Sequence, residues 1–292
     1  MDRIVISHYQ AKRILAGWVT GLKEVPVSLD LGRTISKVII DSPNVIFPDG
    51  SKIHINIIRK IALDTRSVYL IENNEVKKVQ FFSEETQKFY KLVPTGENTP
   101  PTLEISGIHM HRIKDVDPLT DTLQKLELIK PLENTFVLDT CTGLGYTAIY
   151  ARKLGAKKVI TVEKDPYVIE IAKYNPWSKE LFEDENIILY INDITRFIRN
   201  FENEIFDRII HDPPRFSYQT ANLYSILLYK EFYRVLKPGG KLVHYVGKPK
   251  HKRGFDLKKN VMKKLREVGF RKVYFDEKSL CVYAEKPRKG SK

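Results

Sequence analysis

Acidic and glycine residues follow a predicted strand near the middle of the chain. Residues 137–147 read Val-Leu-Asp-Thr-Cys-Thr-Gly-Leu-Gly-Tyr-Thr and join an apolar segment to a helical one. Glycine at 143 and 145 lets the backbone pass close to a ligand at a helix N-terminus. Glu163 follows Gly143 by 20 residues, at the end of the next predicted strand. A carboxylate there can accept from both hydroxyls of a ribose, so the spacing predicts a nucleotide site.

Two further acidic residues, Asp139 and Asp193, indicate which kind of nucleotide the site binds. Gly143, Gly145 and Ala148 also match a dinucleotide fingerprint, in which the strand normally runs apolar into the first glycine. Asp139 lies four residues before Gly143, where it would repel a pyrophosphate and suit an ammonium group. Asp193 ends the third predicted strand and can accept from an adenine amino group. Because parallel strands end at one sheet edge, these carboxylates are expected around one cleft.

A fourth carboxylate, Asp212, follows the fourth predicted strand in the run His-Asp-Pro-Pro-Arg-Phe. An aromatic amine is a poor nucleophile because its lone pair is delocalised into the ring. The Asp212 carboxylate and the Pro213 carbonyl, each accepting an N–H, would turn that lone pair toward an electrophilic methyl group. The two prolines fix the backbone φ angles that such placement needs. The alternative interpretation is a rigid strand exit with no chemical role.

Residues 110–292 resemble the class I S-adenosylmethionine-dependent methyltransferases. The resemblance rests on the Asp-x-x-x-Gly-x-Gly loop, the two following strand-end acids, the Asp-Pro-Pro element and a Leu-Lys-Pro-Gly-Gly turn at 236–240. It implies S-adenosylmethionine as the cofactor, with Asp139 at the methionine amino end, Glu163 at the ribose and Asp193 at the adenine. The predicted cofactor-binding residues are Asp139, Thr142, Gly143, Gly145, Tyr146, Glu163, Lys164, Asp193 and Ile194.

The Asp-Pro-Pro element resembles that of methyltransferases acting on exocyclic amines of cytosine or adenine. It also resembles an archaeal group of predicted methyltransferases with an Asp-Pro-Pro-Arg element. The resemblance implies an RNA methyltransferase, with N4 of cytidine in ribosomal RNA as the expected target. The family places an aromatic residue where Arg215 stands, which leaves Phe216, Tyr218 or the guanidinium itself to stack on the base. The predicted catalytic residues are Asp212, Pro213, Pro214, Arg215 and Phe216.

The charge distribution agrees with a nucleic-acid partner. The 292 residues carry 49 Lys+Arg and 36 Asp+Glu, a net charge of +13. Residues 230–292 hold 20 of the basic and 6 of the acidic side chains, so the surplus lies in the last fifth of the chain. A solvated lysine-rich face is one interpretation, and a surface for RNA, expected to be ribosomal, is the other. The predicted substrate-binding residues are Tyr218, Lys248, Lys250, Lys252 and Arg253.

Other functions stay open at this point. An aminopropyltransferase of the spermidine synthase type has the same fold and a small β domain in front, with Asp212 deprotonating an amine. Its usual glycine loop is denser than residues 140–145. A small-molecule methyltransferase, a non-catalytic RNA-binding factor and DNA or transfer RNA as substrate are further alternatives. A dinucleotide oxidoreductase comes last because of Asp139.

The elements that must position these residues alternate between strand and helix. We predict an α/β fold with a mostly parallel Rossmann-like sheet and a C-terminal antiparallel hairpin in residues 106–292, behind a small β-rich α+β domain in residues 1–105. Two cysteines, no apolar run of about 18 residues and no signal-type N-terminus predict a cytoplasmic protein without a metal site. The strands expected to carry the site are 135–138, 158–162, 187–190, 206–211 and 241–246.

Overall fold

A computed structural model describes residues 3–248, 256–288 and 290 of the chain. By contacts the chain divides into two compact units. The first comprises the chain up to Thr120 together with Tyr167–Glu180, and the second comprises Asp121–Pro166 together with Leu181–Lys292. The helices of the described residues include none that is long and apolar enough to cross a membrane.

Residues 3–109 of the first unit form small antiparallel sheets and two helices, and one buried core joins these helices to two of the sheets. The helices are α1 (His8–Val19) and α2 (Ile55–Leu63). Ser7 caps α1, because its side chain accepts from the helix N-terminus while its own N–H donates to Gln10 Oε1 at 2.9 Å. The strands are β1 (Ile4–Ile6), β2 (Glu24–Val27), β3 (Ser36–Asp41), β4 (Asn44–Ile46), β5 (Lys52–His54), β6 (Tyr69–Glu72), β7 (Glu75–Lys78), β8 (Gln80–Ser83), β9 (Lys88–Val93), β10 (Thr102–Ile105) and β11 (Ile108–His109).

Three sheets result, ordered β1-β6-β7, β2-β3-β4-β5 and β11-β10-β9-β8. The β-branched run 76–82 divides into β7 and β8, which lie in different sheets. Val79 stands between them, donating to the Val68 carbonyl and accepting from Leu92 N–H, so the chain passes from one sheet to the next there. Helix α2 forms from an isoleucine-rich segment, and its buried residues recur at helical spacing.

The chain from Pro118 onward alternates helices and strands. The helices are α3 (Pro118–Glu127), α4 (Tyr146–Lys153), α5 (Pro166–Ala172), α6 (Lys179–Glu183), α7 (Ile194–Phe197), α8 (Ile226–Val235) and α9 (Leu257–Val268). The strands are β12 (Phe136–Asp139), β13 (Lys158–Glu163), β14 (Ile187–Ile191), β15 (Phe206–His211), β16 (Leu236–Tyr245), β17 (Arg271–Asp276) and β18 (Cys281–Glu285).

These strands form one seven-stranded sheet in the order β14-β13-β12-β15-β16-β18-β17. The first five are parallel, and β18 and β17 are antiparallel, which confirms the predicted fold class. Leu236–Gly240, expected as a turn, lies at the start of β16. The pairing jumps there, from Phe206 with Leu236 to Arg208 with Lys241, so the Pro-Gly-Gly segment bulges out of the ladder.

The middle strands of this sheet are buried on both faces, as their continuous apolar sequence requires. Val137 and Leu138 on β12 and Ile209 and Ile210 on β15 have no exposed surface. Asp139 pairs in register with Ile210 of β15 on one side and Thr161 of β13 on the other. The carboxyl ends of β12, β13, β15 and β16 therefore meet at one edge of the sheet.

Candidate functional site

Asp139 is held at the end of β12 by two threonine hydroxyls. Thr161 Oγ1 and Thr147 Oγ1 both donate to its Oδ2, at 2.8 and 3.1 Å. Its other oxygen, Oδ1, is buried and lacks a hydrogen-bond partner among the described residues. An unpaired buried carboxylate oxygen is unfavourable, because it has lost its hydrogen bonds to water and has no protein donor in their place. Asp139 therefore presents an acceptor that a bound cation or N–H group would satisfy.

Burial also changes the acidity of Asp139. Loss of water raises its pKa, the two threonine hydroxyls lower it, and the nearby charges of Asp212 and Glu163 raise it again. The net result is a pKa of about 7. The ligand-free protein thus holds this carboxyl close to its point of half-ionisation at neutral pH.

The loop between β12 and α4 is shaped by its glycines. Gly145 precedes α4 with a φ of +83°, in the left-handed region that glycine adopts without strain. A Cβ at this position would lie 2.8 Å from Leu181 Cδ2. Thr142 and Tyr146, predicted to bind the cofactor, flank this turn and are buried.

We expect Gly145→Ala to lower the free energy of unfolding by about 1–3 kcal/mol, since strain and a close contact with Leu181 add together. Gly50→Ala is the matched control, because Gly50 has a φ of +86° and a Cβ added to it would meet nothing within 4 Å. Urea unfolding of both variants separates the two contributions. Equal losses for the two variants would show that the Leu181 contact has no effect.

Glu163, at the end of β13, is fixed by backbone N–H groups. Gly143 N donates to Oε2 at 2.9 Å, and Lys164 N and Asp165 N donate to Oε1 at 2.9 and 3.0 Å. Burial raises the pKa of Glu163, and these backbone donors offset only part of that rise. The side chain thus bridges the glycine loop to the start of the next turn, with lone pairs left for further donors.

Asp193 follows β14 and caps α7. Its Oδ1 accepts from Thr195 N at 3.0 Å and from Thr195 Oγ1 at 2.7 Å, while Lys164 Nζ lies 2.9 Å from Oδ2. Burial raises the pKa of Asp193, but the lysine and threonine donors outweigh it and the net direction is down. Ile194, the next residue, is buried in the core. Asp193 is thus an ionised acceptor at the same sheet edge.

Asp212 follows β15 and binds a buried lysine that the sequence did not indicate. Lys125 Nζ lies 2.5 Å from Asp212 Oδ2 and 2.7 Å from Asp121 Oδ2. It also lies 4.6 Å from the centre of the Tyr245 ring, a cation–π contact at the end of β16. The Lys125 side chain is 5% exposed and that of Asp212 is 23% exposed. Asp212 is therefore a partly open carboxylate with a buried counter-ion behind it.

The loop after Asp212 is anchored by Tyr224. Pro213 is buried and Pro214 is exposed, with its carbonyl accepting from Tyr224 Oη at 2.8 Å. The Phe216 ring meets the Tyr224 ring edge-on at 5.2 Å, and Arg215 is exposed. The prolines thus place a short exposed loop, carrying an aromatic ring and a cation, beside the Asp212 carboxylate.

His211 links the two loops of the site, which sequence analysis did not foresee. Its Nδ1 lies 2.6 Å from Thr140 Oγ1 in the glycine loop, and its Nε2 lies 2.8 Å from the Leu223 carbonyl. Burial lowers the pKa of His211 to about 4, so the imidazole is neutral and donates from Nε2 to that carbonyl. Thr140 lies 71 residues away in the sequence and Leu223 lies 12 residues away, so the pattern around His211 did not indicate either contact.

The predicted nucleic-acid contacts are only partly within the described residues. Tyr218 is fully exposed, and Lys248 is exposed. Lys250, Lys252 and Arg253 lie outside the described residues. An RNA partner, like the roles assigned above to the cofactor-binding residues, stays a prediction.

Comparison with known proteins identifies the kind of domain that carries this site. The model of the spermine/spermidine synthase domain matches residues 136–283, which span β12 to β18. The uncharacterized protein MJ1233 of Methanocaldococcus jannaschii is 49% identical over 271 residues, covering 91% of each chain. A solved spermidine synthase in complex with the transition-state analogue AdoDATO has the same fold, with a TM-score of 0.56 and 22% identity over 71% of this chain and 72% of that one.

Relatives with a named activity match over shorter stretches. The polyamine aminopropyltransferase of Thermoplasma volcanium is 32% identical over 108 residues, which is 37% of this chain and 39% of that protein. The ribosomal RNA large subunit methyltransferase I of Vibrio parahaemolyticus is 30% identical over 41% of this chain and 32% of its own length. The chain thus spans about a third of the length of these relatives.

The expected methylation of cytidine N4 in ribosomal RNA is wrong. The family model that matches the whole catalytic sheet is that of the spermine/spermidine synthases, and the aminopropyltransferase relative agrees with it. The predicted enzyme class holds only at the coarser level of a transferase with a Rossmann-like sheet and an S-adenosylmethionine-related cofactor. The Asp-Pro-Pro element was over-interpreted, because it specifies a rigid carboxylate and does not identify the amine beside it.

Proposed function

The chain belongs to the spermine/spermidine synthase domain family, and on that premise we propose that it transfers the aminopropyl group of decarboxylated S-adenosylmethionine to an amine. The observation that carries the proposal is the buried, unpartnered Oδ1 of Asp139 at the end of β12. Decarboxylated S-adenosylmethionine ends in an ammonium group without a neighbouring carboxylate. Such a group suits an acceptor that is buried and anionic.

The charge of the cleft favours the decarboxylated form. Carboxylates outnumber ammonium groups among the described residues at this edge, and both ammonium groups are already ion-paired. An intact methionine end would bring a carboxylate into this surplus of negative charge, where repulsion opposes its binding. The carboxylates are Asp121, Asp139, Glu163, Asp193 and Asp212, and the ammonium groups are those of Lys125 and Lys164.

Other residues of the site are suited to bind the ribose and the adenine of the cofactor. Glu163, fixed by three backbone donors, is suited to the ribose hydroxyls, and Asp193 is suited to the adenine amino group. Gly143 and Gly145 allow the backbone to approach the sulfur end. When bound, the sulfonium supplies an electrophilic carbon whose bond to sulfur breaks as a neutral thioether leaves.

Asp212 would act on the acceptor amine. Its partly exposed carboxylate accepts an N–H of the amine and turns the nitrogen lone pair toward the carbon that is transferred. As the C–N bond forms, the electron pair of the C–S bond stays with sulfur, and the proton leaves the nitrogen toward Asp212 Oδ1. No proton needs to reach the leaving thioether, so one carboxylate suffices for the reaction.

Product analysis tests this function directly. Purified protein is incubated with decarboxylated S-adenosylmethionine and, separately, with putrescine, cadaverine, spermidine or spermine, followed by mass spectrometry. We expect an aminopropylated amine and one equivalent of methylthioadenosine. Formation of neither, together with a methylated product when S-adenosylmethionine is supplied instead, would contradict the proposal.

The pKa of Asp139 predicts how cofactor binding depends on pH. Only the ionised carboxylate pairs with an ammonium group, and its pKa in the ligand-free protein is about 7. The affinity for decarboxylated S-adenosylmethionine should therefore fall as pH drops below 7, by up to about tenfold per pH unit. Calorimetry from pH 5 to 8.5 measures it. Methylthioadenosine, which lacks the ammonium group, is the matched ligand and should show a much flatter dependence; equal slopes would contradict the assignment.

A further inference from the structure

Lys125 is more deeply buried than Lys164, the other lysine at the site, and the reaction proposed above does not use it. It lies on α3, with Asp121 one turn earlier on the same helix and Asp212 at the end of β15. The Tyr245 ring at the end of β16 and the buried thiol of Cys281 at the start of β18 complete its surroundings. A lysine is rarely buried unless it is paired, and burying its charge is unfavourable. The pairing of Lys125 with two carboxylates therefore suggests that it has a function in the site.

We propose that Lys125 is a positioning residue, whose ammonium group holds Oδ2 of Asp212 so that Oδ1 faces the acceptor amine. The proposal rests on the function proposed above. Its geometric support is the 2.5 Å contact at Oδ2, together with a side chain that keeps 23% of its surface exposed. Among the described residues Oδ1 has no hydrogen-bond partner comparable to that contact.

The charges around Lys125 exclude two simpler roles for it. Burial lowers its pKa, but Asp212 and Asp121 raise it by more, so Lys125 stays an ammonium group. It is therefore neither a base nor a nucleophile. Burial raises the pKa of the neighbouring Cys281 thiol, which stays protonated. The trio of Asp121, Lys125 and Asp212 thus carries a net charge of −1.

This net charge permits a charge-matched test. Lys125→Met alone leaves two adjacent carboxylates, and repulsion between them is expected to disturb folding. The double variant Asp121→Asn/Lys125→Met again carries a net charge of −1, but it lacks the Lys125–Asp212 contact. Asp121→Asn alone keeps that contact and is the matched control.

The readouts are kcat and KM for aminopropyl transfer and the affinity for methylthioadenosine. We expect the double variant to bind methylthioadenosine like the wild type and to lose about 10- to 100-fold in kcat, because Asp212 Oδ1 is no longer held in place beside the amine. Asp121→Asn should keep a kcat close to that of the wild type.

A double variant with wild-type kcat would overturn the proposal and leave Lys125 a purely structural role. If the double variant does not fold, Asp121→Asn/Lys125→Gln decides, because it keeps the net charge of −1 and the N–H donors and loses the ammonium group. Its kcat should fall while its affinity for methylthioadenosine stays unchanged, and a wild-type kcat would overturn the proposal. Absence of aminopropyl transfer by the wild type would count against the proposed function itself, so the two failures are distinguishable.

Discussion

Replacement of Asp212 by Asn is expected to reduce kcat for aminopropyl transfer by about 10²–10⁴-fold, the range typical for loss of a placed general base. The amide keeps the shape of the side chain, but it neither takes a proton nor balances the charge of Lys125, 2.5 Å away. Because Asp212 is assigned to the acceptor side, the affinity for decarboxylated S-adenosylmethionine should change by less than about threefold. Steady-state kinetics and calorimetry on the same preparation measure both quantities.

Asp207→Asn is the matched control for this experiment. Asp207 lies on β15 as well, at the end away from the site, where it accepts from Phe136 N and pairs with Lys237. Its loss should lower stability without changing kcat. A similar loss of kcat in both variants would assign the Asp212 effect to the fold, and an active Asp212→Asn enzyme would remove Asp212 from the mechanism.

Replacement of Asp139 by Asn is expected to stabilise the ligand-free protein at pH 8 while destroying cofactor binding. Its pKa is raised from 3.8 to about 7 by the fold, so the protonated form is favoured in the native state. The stability contributed by this protonation is complete below pH 3.8 and is lost as pH rises through 7. At pH 8 the buried carboxylate therefore destabilises the native state by up to about 4 kcal/mol, which the amide avoids.

Thermal melts at pH 8 check the first half of this prediction, and calorimetry with decarboxylated S-adenosylmethionine checks the second. We expect a higher Tm and at least a 30-fold weaker affinity, of the order that loss of one buried ion pair produces. Asp193→Asn is the control for stability, since the pKa of Asp193 is lowered and loss of its charge should not raise Tm. A lower Tm for Asp139→Asn would contradict the interpretation of its environment.

The strands that carry the site could be predicted from the sequence because the middle strands are buried on both faces and read as continuous apolar runs. The polar residues that follow each run mark the edge of the sheet. Asp139, Glu163, Asp193 and Asp212 lie within two residues of these strand ends, and the structure brings them to one edge. Among these strands, the largest boundary error is at β16, which was predicted over 241–246 and extends over Leu236–Tyr245, because its pairing with β15 is interrupted by a bulge.

The residues that contact these carboxylates could not be predicted from the sequence, because they come from distant parts of the chain. Lys125 sits in an amphipathic helix where a lysine is usually solvated, and only Asp212, 87 residues later, gives it a buried partner. The contacts of Thr161 and His211 likewise could not be predicted from the sequence, because they form only when β12, β13 and β15 lie side by side. The wrong prediction of cytidine methylation has a related cause. A carboxylate at a strand end indicates that an amine binds there, but it does not identify the amine.

The comparison of two cofactor affinities tests the central claim most directly. Decarboxylated S-adenosylmethionine and S-adenosylmethionine differ by a single carboxylate, at the end that Asp139 is proposed to hold. Calorimetry at pH 8 measures the affinity of the protein for each of them. We predict that the decarboxylated form binds at least ten times more tightly, because the cleft already carries a surplus of negative charge. Equal affinity, or tighter binding of S-adenosylmethionine, would contradict this account of the site.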